Sequence, residues 1–190
     1  MKEKQSAKKK SNAKEGPSDA MESVGRFFRA IKEEVLSTFN AGGKTKATDL
    51  LKEDHDRFKA LIKKLKSEKE NKMELVALIE EEIKIHSEAE EIIFYPEMKK
   101  IDSEMIAEAA EEHHQVDVLL AELKEMTGRE GEEFDAKVAV LEENLEHHIK
   151  EEEEEMFPKA EKELKNQLED LGAEIEYFKG EWNARERKTA

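Results

Sequence analysis

Histidine and glutamate interrupt the apolar stripes of four consecutive segments, and this feature constrains both the fold and the chemistry. Apolar residues that recur at steps of three and four mark the buried face of a helix. Each of the four segments between residues 48 and 157 shows such a stripe. The polar members of the four stripes are His55, His86, Glu90, His113, His148 and Glu152. The sequence therefore predicts polar side chains inside an otherwise apolar core.

Short loops connect the four segments, which limits how they pack. Thr48 is placed to start the first helix, and Asp102 or the serine after it starts the third. Pro158 follows the fourth segment and is expected to end it. Helices joined by short loops pack as antiparallel neighbours. We therefore expect an all-α chain with an up-down-up-down antiparallel four-helix bundle over residues 48–160, and extra helices at both ends.

The flanking segments differ from the bundle in composition. Residues 1–19 are basic and poor in apolar residues, which predicts a disordered tail. The pattern predicts an amphipathic helix over residues 20–40, a flexible linker over 41–47 and a C-terminal helix over 161–183. Either terminal helix offers an apolar face for homodimer formation.

Net charge and residue content exclude several functions. A formal net charge of −15 makes nucleic acid an unfavourable partner. No segment approaches the run of about 18 apolar residues that spans a bilayer, so we expect a cytoplasmic protein without stable membrane insertion. The chain has no cysteine, which excludes disulfides and thiolate metal sites.

The polar residues of the stripes need a common partner. A buried ionised carboxylate is costly unless it is paired or bound to a metal ion. His86 with Glu90, and His148 with Glu152, stand four residues apart and so share one face of a helix. A metal ion in the core would satisfy imidazoles and carboxylates together. The sequence therefore predicts a metal site.

The chain also repeats itself. A histidine lies ten residues before each of Pro96 and Pro158. The segments EDHDRFKALIKKL and EEHHQVDVLLAEL place His55 and His113 at the same position. The repeat predicts two copies of a helical hairpin that face each other across a pseudo-two-fold axis. Two such half-sites make a binuclear site.

With these motifs, the sequence resembles the hemerythrin family, in its bacterial HHE cation-binding branch, over roughly residues 48–160. The resemblance implies two non-heme iron ions bridged by carboxylates, with manganese or zinc less favoured, and a small ligand such as O2, NO or H2O2. It implies no catalytic residue and leaves open whether the chain is an enzyme. The implied metal ligands are His55, His86, Glu90, His113, His148 and Glu152, with the two glutamates as bridges.

Residues beside the stripes stay open as further ligands. Oxygen-carrying hemerythrins have a second histidine four residues after the one on the third helix, where this chain has Asp117. The aspartate argues against reversible oxygen carriage, and we expect it to point toward the same ion as the histidine before it. His114 and His147 lie one step off the stripes. Glu91 and Glu153 follow the bridging glutamates and are expected to pair with ligand imidazoles.

Two other interpretations make different predictions. A metal-free structural or interaction bundle would bind no metal and would be insensitive to chelator. Ferritin-type centres use Glu-x-x-His pairs with a three-residue spacing. That spacing occurs here only between Glu111 and His114, so we reject the ferritin type. Tyr95 falls near the site and is expected to be a packing residue.

Overall fold

The structure is a computed structural model that describes residues 45–129 and 131–189, with side chains described as far as residue 182. The predicted basic tail, amphipathic helix and most of the linker lie outside these residues. No strand occurs in the described part of the chain, which confirms the all-α class. The elements are α1 (Ala47–Ser67), α2 (Lys72–Ala89), π1 (Glu90–Phe94), α3 (Tyr95–Met98), α4 (Ser103–Glu125), α5 (Glu132–Glu151), π2 (Glu152–Met156), α6 (Phe157–Glu163) and α7 (Gln167–Thr189).

The predicted end of the fourth helix at Pro158 is wrong, because the chain continues through π2 into α6. Proline has no N–H group, and its ring crowds the carbonyl four residues earlier. The wider π turn absorbs this defect, since the N–H group of Phe157 donates to the carbonyl of Glu152, five residues back. The second helix passes Pro96 in the same way. Each proline therefore marks a change of helix type and not a helix end.

The predicted start of the third helix is confirmed and that of the first is not. The side chain of Asp102 accepts a hydrogen bond from the Met105 amide at 3.1 Å, which caps α4. In contrast, Lys46 is the N-cap of α1, and Thr48 is buried within the first turn. Thr48 is the second residue of the helix and not the residue before it, and its hydroxyl makes no capping hydrogen bond.

The four long helices form a closed ring in which α1 contacts α2, α2 contacts α4, α4 contacts α5, and α5 contacts α1. Two apolar clusters fill the interior. One contains Leu51 and Phe94, and the other contains Phe58 and Leu120. Along each long helix a histidine separates the members of the two clusters. A polar layer therefore crosses the bundle between two apolar ones.

Helix α7 covers the side of the bundle formed by α1 and α2. Its residues Leu168, Leu171, Ile175 and Phe178 are buried in the same cluster as Leu51. The apolar stripe predicted for the C-terminal helix is thus buried within the chain. None of the helices that the structure describes has the length and apolar character required of a membrane span.

Gly172 is the point of close approach between α7 and the start of α1. A Cβ atom at this position would lie 2.0 Å from the Thr45 carbonyl oxygen and 3.0 Å from the Ala47 amide nitrogen. Both are backbone atoms that cannot rotate away. We expect Gly172→Ala to lower the free energy of unfolding by about 1–3 kcal/mol, the usual cost of overpacking.

Gly180→Ala is the matched control, because it lies on the same helix and nothing lies within 4 Å of a Cβ there. We expect this substitution to raise the free energy of unfolding by about 0.4–1 kcal/mol, because alanine gives the unfolded chain less conformational freedom than glycine does. Chemical denaturation of the two variants measures the difference. Equal effects would show that α7 is not seated on α1 in this way.

Candidate metal centre

The six polar residues predicted from the sequence lie in one buried layer across the bundle. The exposed fraction is 0% for His55, Glu90 and Glu152, and 2–6% for the other three histidines. Both glutamates are the first residues of π turns, in π1 and π2. Such turns are frequent at functional sites because they change the direction of the side chains that precede and follow them.

Glu90 lies between histidines from two helices. Its Oε2 atom is 3.1 Å from Nε2 of His86 on α2 and 3.3 Å from Nε2 of His113 on α4. Neither carboxylate oxygen has a partner with hydrogen-bond geometry among the described residues. A buried carboxylate without such partners is costly, so the arrangement suits a positive ion placed between these atoms.

Glu152 occupies the corresponding place in the other half. Its Oε2 atom is 3.2 Å from Nε2 of His55 and 3.6 Å from Nε2 of His148. The Nε2 atoms of His148 and His113 are 3.1 Å apart. Imidazole nitrogens and carboxylate oxygens from four helices therefore converge on one small volume.

The converging atoms form two groups that could each hold a metal ion, and atoms within a group lie within 4.8 Å of one another. Glu90 belongs to both groups, whereas Glu152, which was also expected to be a bridge, belongs to the first group only. The first group consists of His55, His86, Glu90 and Glu152, and the second of Glu90, His113 and His148. Mixed imidazole and carboxylate donors are suitable ligands for transition-metal ions. The donor set therefore fits two neighbouring ions with a shared carboxylate.

Outer carboxylates orient the imidazoles from behind. The Nδ1–H group of His55 donates to Glu153 at 2.9 Å, and that of His113 donates to Glu91 at 3.1 Å. An ionised carboxylate only accepts, so it fixes the tautomer in which Nε2 is free to bind a metal ion. The two glutamates were predicted from the sequence for this role.

The outer partners of the other two histidines were not predicted. Nδ1–H of His86 donates to Asp54 at 3.0 Å, and Nδ1–H of His148 donates to Glu112 at 2.9 Å. Each acceptor directly precedes a histidine of the layer, in the matching sequences EDH and EEH. The repeat contained this signal, because an acidic residue occupies the same place in both halves.

A cavity of about 10 Å³ lies beside the four histidines. This is about the smallest cavity that holds one water molecule. Besides the histidines, its lining residues form three pairs related by the pseudo-two-fold repeat. These pairs are Phe58 with Val116, Ile83 with Leu145, and Ser87 with Ile149. The cavity therefore lies on the pseudo-two-fold axis.

The sequence model of the hemerythrin HHE cation-binding domain family matches residues 46–160, which are more than half of the 190 residues. The chain belongs to the hemerythrin HHE family. No curated protein and no solved structure matches it significantly. Together, the family and the two ligand groups show that this hemerythrin-like domain binds metal cations.

Asp117 does not point into the centre of the hemerythrin-like domain, which corrects the expectation from the sequence. Its side chain is exposed and belongs to neither buried ligand group. The next buried residue of α4 after His113 is Val116, three positions later. The residue four positions after the histidine consequently faces the surface between α2 and α4.

His114 and His147 also lie outside the buried layer of the domain. Both are exposed, as expected for residues one step off the stripes. At the surface, Nε2 of His147 lies 3.3 Å from Glu151 and 3.5 Å from Glu112. The buried metal-binding layer thus receives one histidine from each long helix.

Tyr95 makes the two halves of the hemerythrin-like centre chemically different. Its hydroxyl donates to Oε1 of Glu152 at 2.9 Å and lies 3.3 Å from Nε2 of His113. Phe157 holds the equivalent position in the repeat and stacks on His55 without a polar group. Burial, and then the charge of Glu152, raises the pKa of Tyr95 well above its usual value, so the hydroxyl stays protonated. Tyr95 is therefore more than a packing residue.

Helix α7 reaches the periphery of the centre through Lys179, which lies beyond the residues matched by the family. Its ammonium group donates to Oδ2 of Asp54, the same oxygen that accepts from His86. Burial raises the pKa of Asp54, but the hydrogen bond from His86 and the charges of His86 and Lys179 together hold it below its usual value. The carboxylate thus stays ionised behind the imidazole.

The buried histidines are basic in the metal-free chain. Burial lowers the pKa of His86, but the charge of Glu90 and the hydrogen bond to Asp54 raise it to about 9 overall. Burial also lowers the pKa of His113, but its contacts with the carboxylates of Glu90 and Glu91 raise the pKa to about 10 overall. At neutral pH these two imidazolium groups compensate the buried carboxylates, and metal ions must displace their protons.

We expect the free energy of unfolding of the metal-free protein to fall as the pH rises. The pKa values of His86 and His113 lie above the unfolded value of 6.5, so their stabilisation is complete below that pH. It is lost as the pH rises through about 9 and 10. Denaturant titrations across this range, with chelator present, measure the change. The additional free energy of unfolding that metal binding provides should instead rise with pH, because protons compete with the metal for the histidines. A flat profile for the metal-free protein would contradict this assignment.

Proposed function

We propose that the chain is a non-heme di-iron protein that reacts with or senses O2, NO or peroxide, or that handles iron. The observation that carries the proposal is the shared position of Glu90. This carboxylate belongs to both groups of candidate ligands, and each group brings two imidazoles from different helices. A single ion would leave part of the second group without a partner.

The chemistry of the donors favours iron. Imidazole with carboxylate is a donor set that suits iron and manganese, whereas structural zinc sites commonly use thiolates. The chain has no cysteine to supply a thiolate. A bound pair of irons would supply redox chemistry and positions for a small ligand.

The chain leaves room for such a ligand. Four imidazoles and two carboxylates do not fill the shells of two six-coordinate ions, and neither Asp117 nor His114 reaches the layer to add a donor. The cavity on the pseudo-two-fold axis is lined by the four histidines and by apolar side chains. The buried and protonated Tyr95 hydroxyl donates to Glu152, which holds that carboxylate in place within the layer. These features support binding of a water-sized or diatomic molecule.

Metal analysis of protein produced with iron tests the proposal. We expect close to two irons per chain, and we expect azide or NO to change the absorption spectrum of the iron-loaded protein. A ratio near one, or bound zinc without iron, would sink the binuclear iron assignment. Absence of any metal, with no effect of chelator on folding, would favour the metal-free structural bundle.

A further inference from the structure

Two surface depressions flank the buried cavity at positions related by the pseudo-two-fold repeat. The larger one, which we call the α2–α4 groove, has a volume of about 340 Å³. It is lined by Glu80, Lys84, Ser87, Glu88, Glu91 and Asp117. The smaller one, the α1–α5 depression, has a volume of about 40 Å³. The two approaches to the centre therefore differ although the helices that form them are equivalent.

The side chains that separate the surface from the cavity differ between the two sides in size and polarity. Among the described residues, Ser87 is the one that lines both the α2–α4 groove and the buried cavity. On the opposite side, Phe58, Leu145 and Ile149 line both the depression and the cavity. Ser87 and Ile149 hold equivalent positions in the repeat. A small hydroxyl side chain thus replaces an apolar barrier on the groove side.

The α2–α4 groove is also the more acidic of the two approaches to the centre. Four carboxylates and one ammonium group line the α2–α4 groove. At the position equivalent to Asp117, the α1–α5 side has Lys59, whose Nζ lies 3.4 Å from Oε1 of Glu153. The acidic groove attracts cations, and the lysine on the other side neutralises the corresponding carboxylate.

The cavity behind Ser87 presents metal-binding atoms. The Nε2 atoms of His55 and His86 are buried, have no partner with hydrogen-bond geometry among the described residues, and belong to side chains that line the cavity. Glu91 connects the two spaces, because it lines the groove and accepts a hydrogen bond from His113. A cation in the groove is therefore separated from the histidines that line the cavity by one small side chain.

We propose that the α2–α4 groove is the entrance through which a divalent metal cation reaches the centre, with Ser87 as its gate. The inference rests on the proposed binuclear function and adds the route and the residues that control it. The carboxylates of the groove concentrate the cation, and the cation then passes Ser87 into the cavity beside the histidines. The α1–α5 side stays closed because larger apolar side chains, Phe58, Leu145 and Ile149, separate it from the cavity.

The rate of metal uptake tests the route. Full-length metal-free protein is mixed with Co²⁺ in a stopped-flow instrument, and the absorbance of bound Co²⁺ gives the rate and the final occupancy. We expect Ser87→Ile to slow uptake about tenfold or more while leaving the final number of bound ions unchanged, since a rate reports the barrier alone. Ser87→Ala keeps the passage open and should load at close to the wild-type rate.

Charge variants provide a matched comparison that does not depend on repacking the interior. Glu88→Gln with Asp117→Asn removes two charges from the α2–α4 groove, and Glu142→Gln with Glu146→Gln removes two from the α1–α5 depression. Electrostatic attraction raises association rates by about 10- to 1000-fold. We expect the first pair to slow uptake several-fold and to weaken its dependence on salt, and the second pair to leave both unchanged.

The outcomes separate the route from the function. If wild-type protein binds two ions and Ser87→Ile and the groove charge variant load at the wild-type rate, the entrance is not the α2–α4 groove and the binuclear centre stands. The same conclusion follows if the α1–α5 charge variant is the slower one. If wild-type protein binds no Co²⁺ and no iron, both proposals fall.

Discussion

Glu90→Ala is expected to reduce the metal content from two ions per chain to well below one. Glu90 is shared by both groups of candidate ligands, so its loss removes a donor from each ion at once. His86→Ala and His113→Ala each affect one group, so each variant should lose mainly one ion. Metal analysis after desalting gives the ratios, and circular dichroism shows that the helices remain.

The control for this series is His114→Ala, which lies beside His113 but is exposed. It should keep both ions. Glu90→Gln preserves the size of the side chain and removes its charge, so it separates the loss of a ligand from the loss of packing. Retention of two ions by the Glu90 variants would falsify the shared-carboxylate arrangement.

Removal of metal should lower the free energy of unfolding by about 4 kcal/mol when the free metal exceeds its dissociation constant a thousandfold. Metal binds the folded chain because the six donors come from four helices and meet only in the bundle. At neutral pH, protonated His86 and His113 partly compensate Glu90 in the metal-free state. The difference between the two states should therefore widen above about pH 8.

Thermal unfolding with and without chelator measures this effect, and a titration of the melting temperature against metal concentration gives its dependence on binding. Gly180→Ala serves as a control that should shift both states equally, because nothing lies within 4 Å of a Cβ atom at this position. If loaded and metal-free protein melt at the same temperature, metal binding is not coupled to folding.

Periodicity predicted the buried layer because the ligand positions follow the spacing that buries apolar residues. The steps of three and four placed His55 and His148 in the core, and both are almost fully buried. The repeat of the hairpin also predicted the pairing of Glu91 and Glu153 with imidazoles. These features depend on helix geometry alone, which sequence spacing fixes.

Features that depend on local backbone geometry or on tertiary contacts were missed. Pro158 was expected to end a helix, but a π turn accommodates it. A proline in the sequence indicates that the regular α-helix is interrupted, but it does not show whether the helix ends or continues through a π turn. Asp117 was expected at the centre because four residues make about one turn, yet the next buried residue of α4 after His113 is Val116, so Asp117 is exposed. The contact of Lys179 with Asp54 joins residues 125 positions apart, and no local pattern predicts it.

The seating of α7 bears on where the independently folding unit ends. The family match stops at residue 160, but Ala89 and Ile93 share a cluster with Leu168 and Ile175 from beyond that point. Truncation at residue 160 would expose Ala89 and Ile93 to water and would remove Lys179, the ammonium partner of Asp54. We therefore expect the shortest independently folding unit to extend through Trp182, which packs against the same cluster.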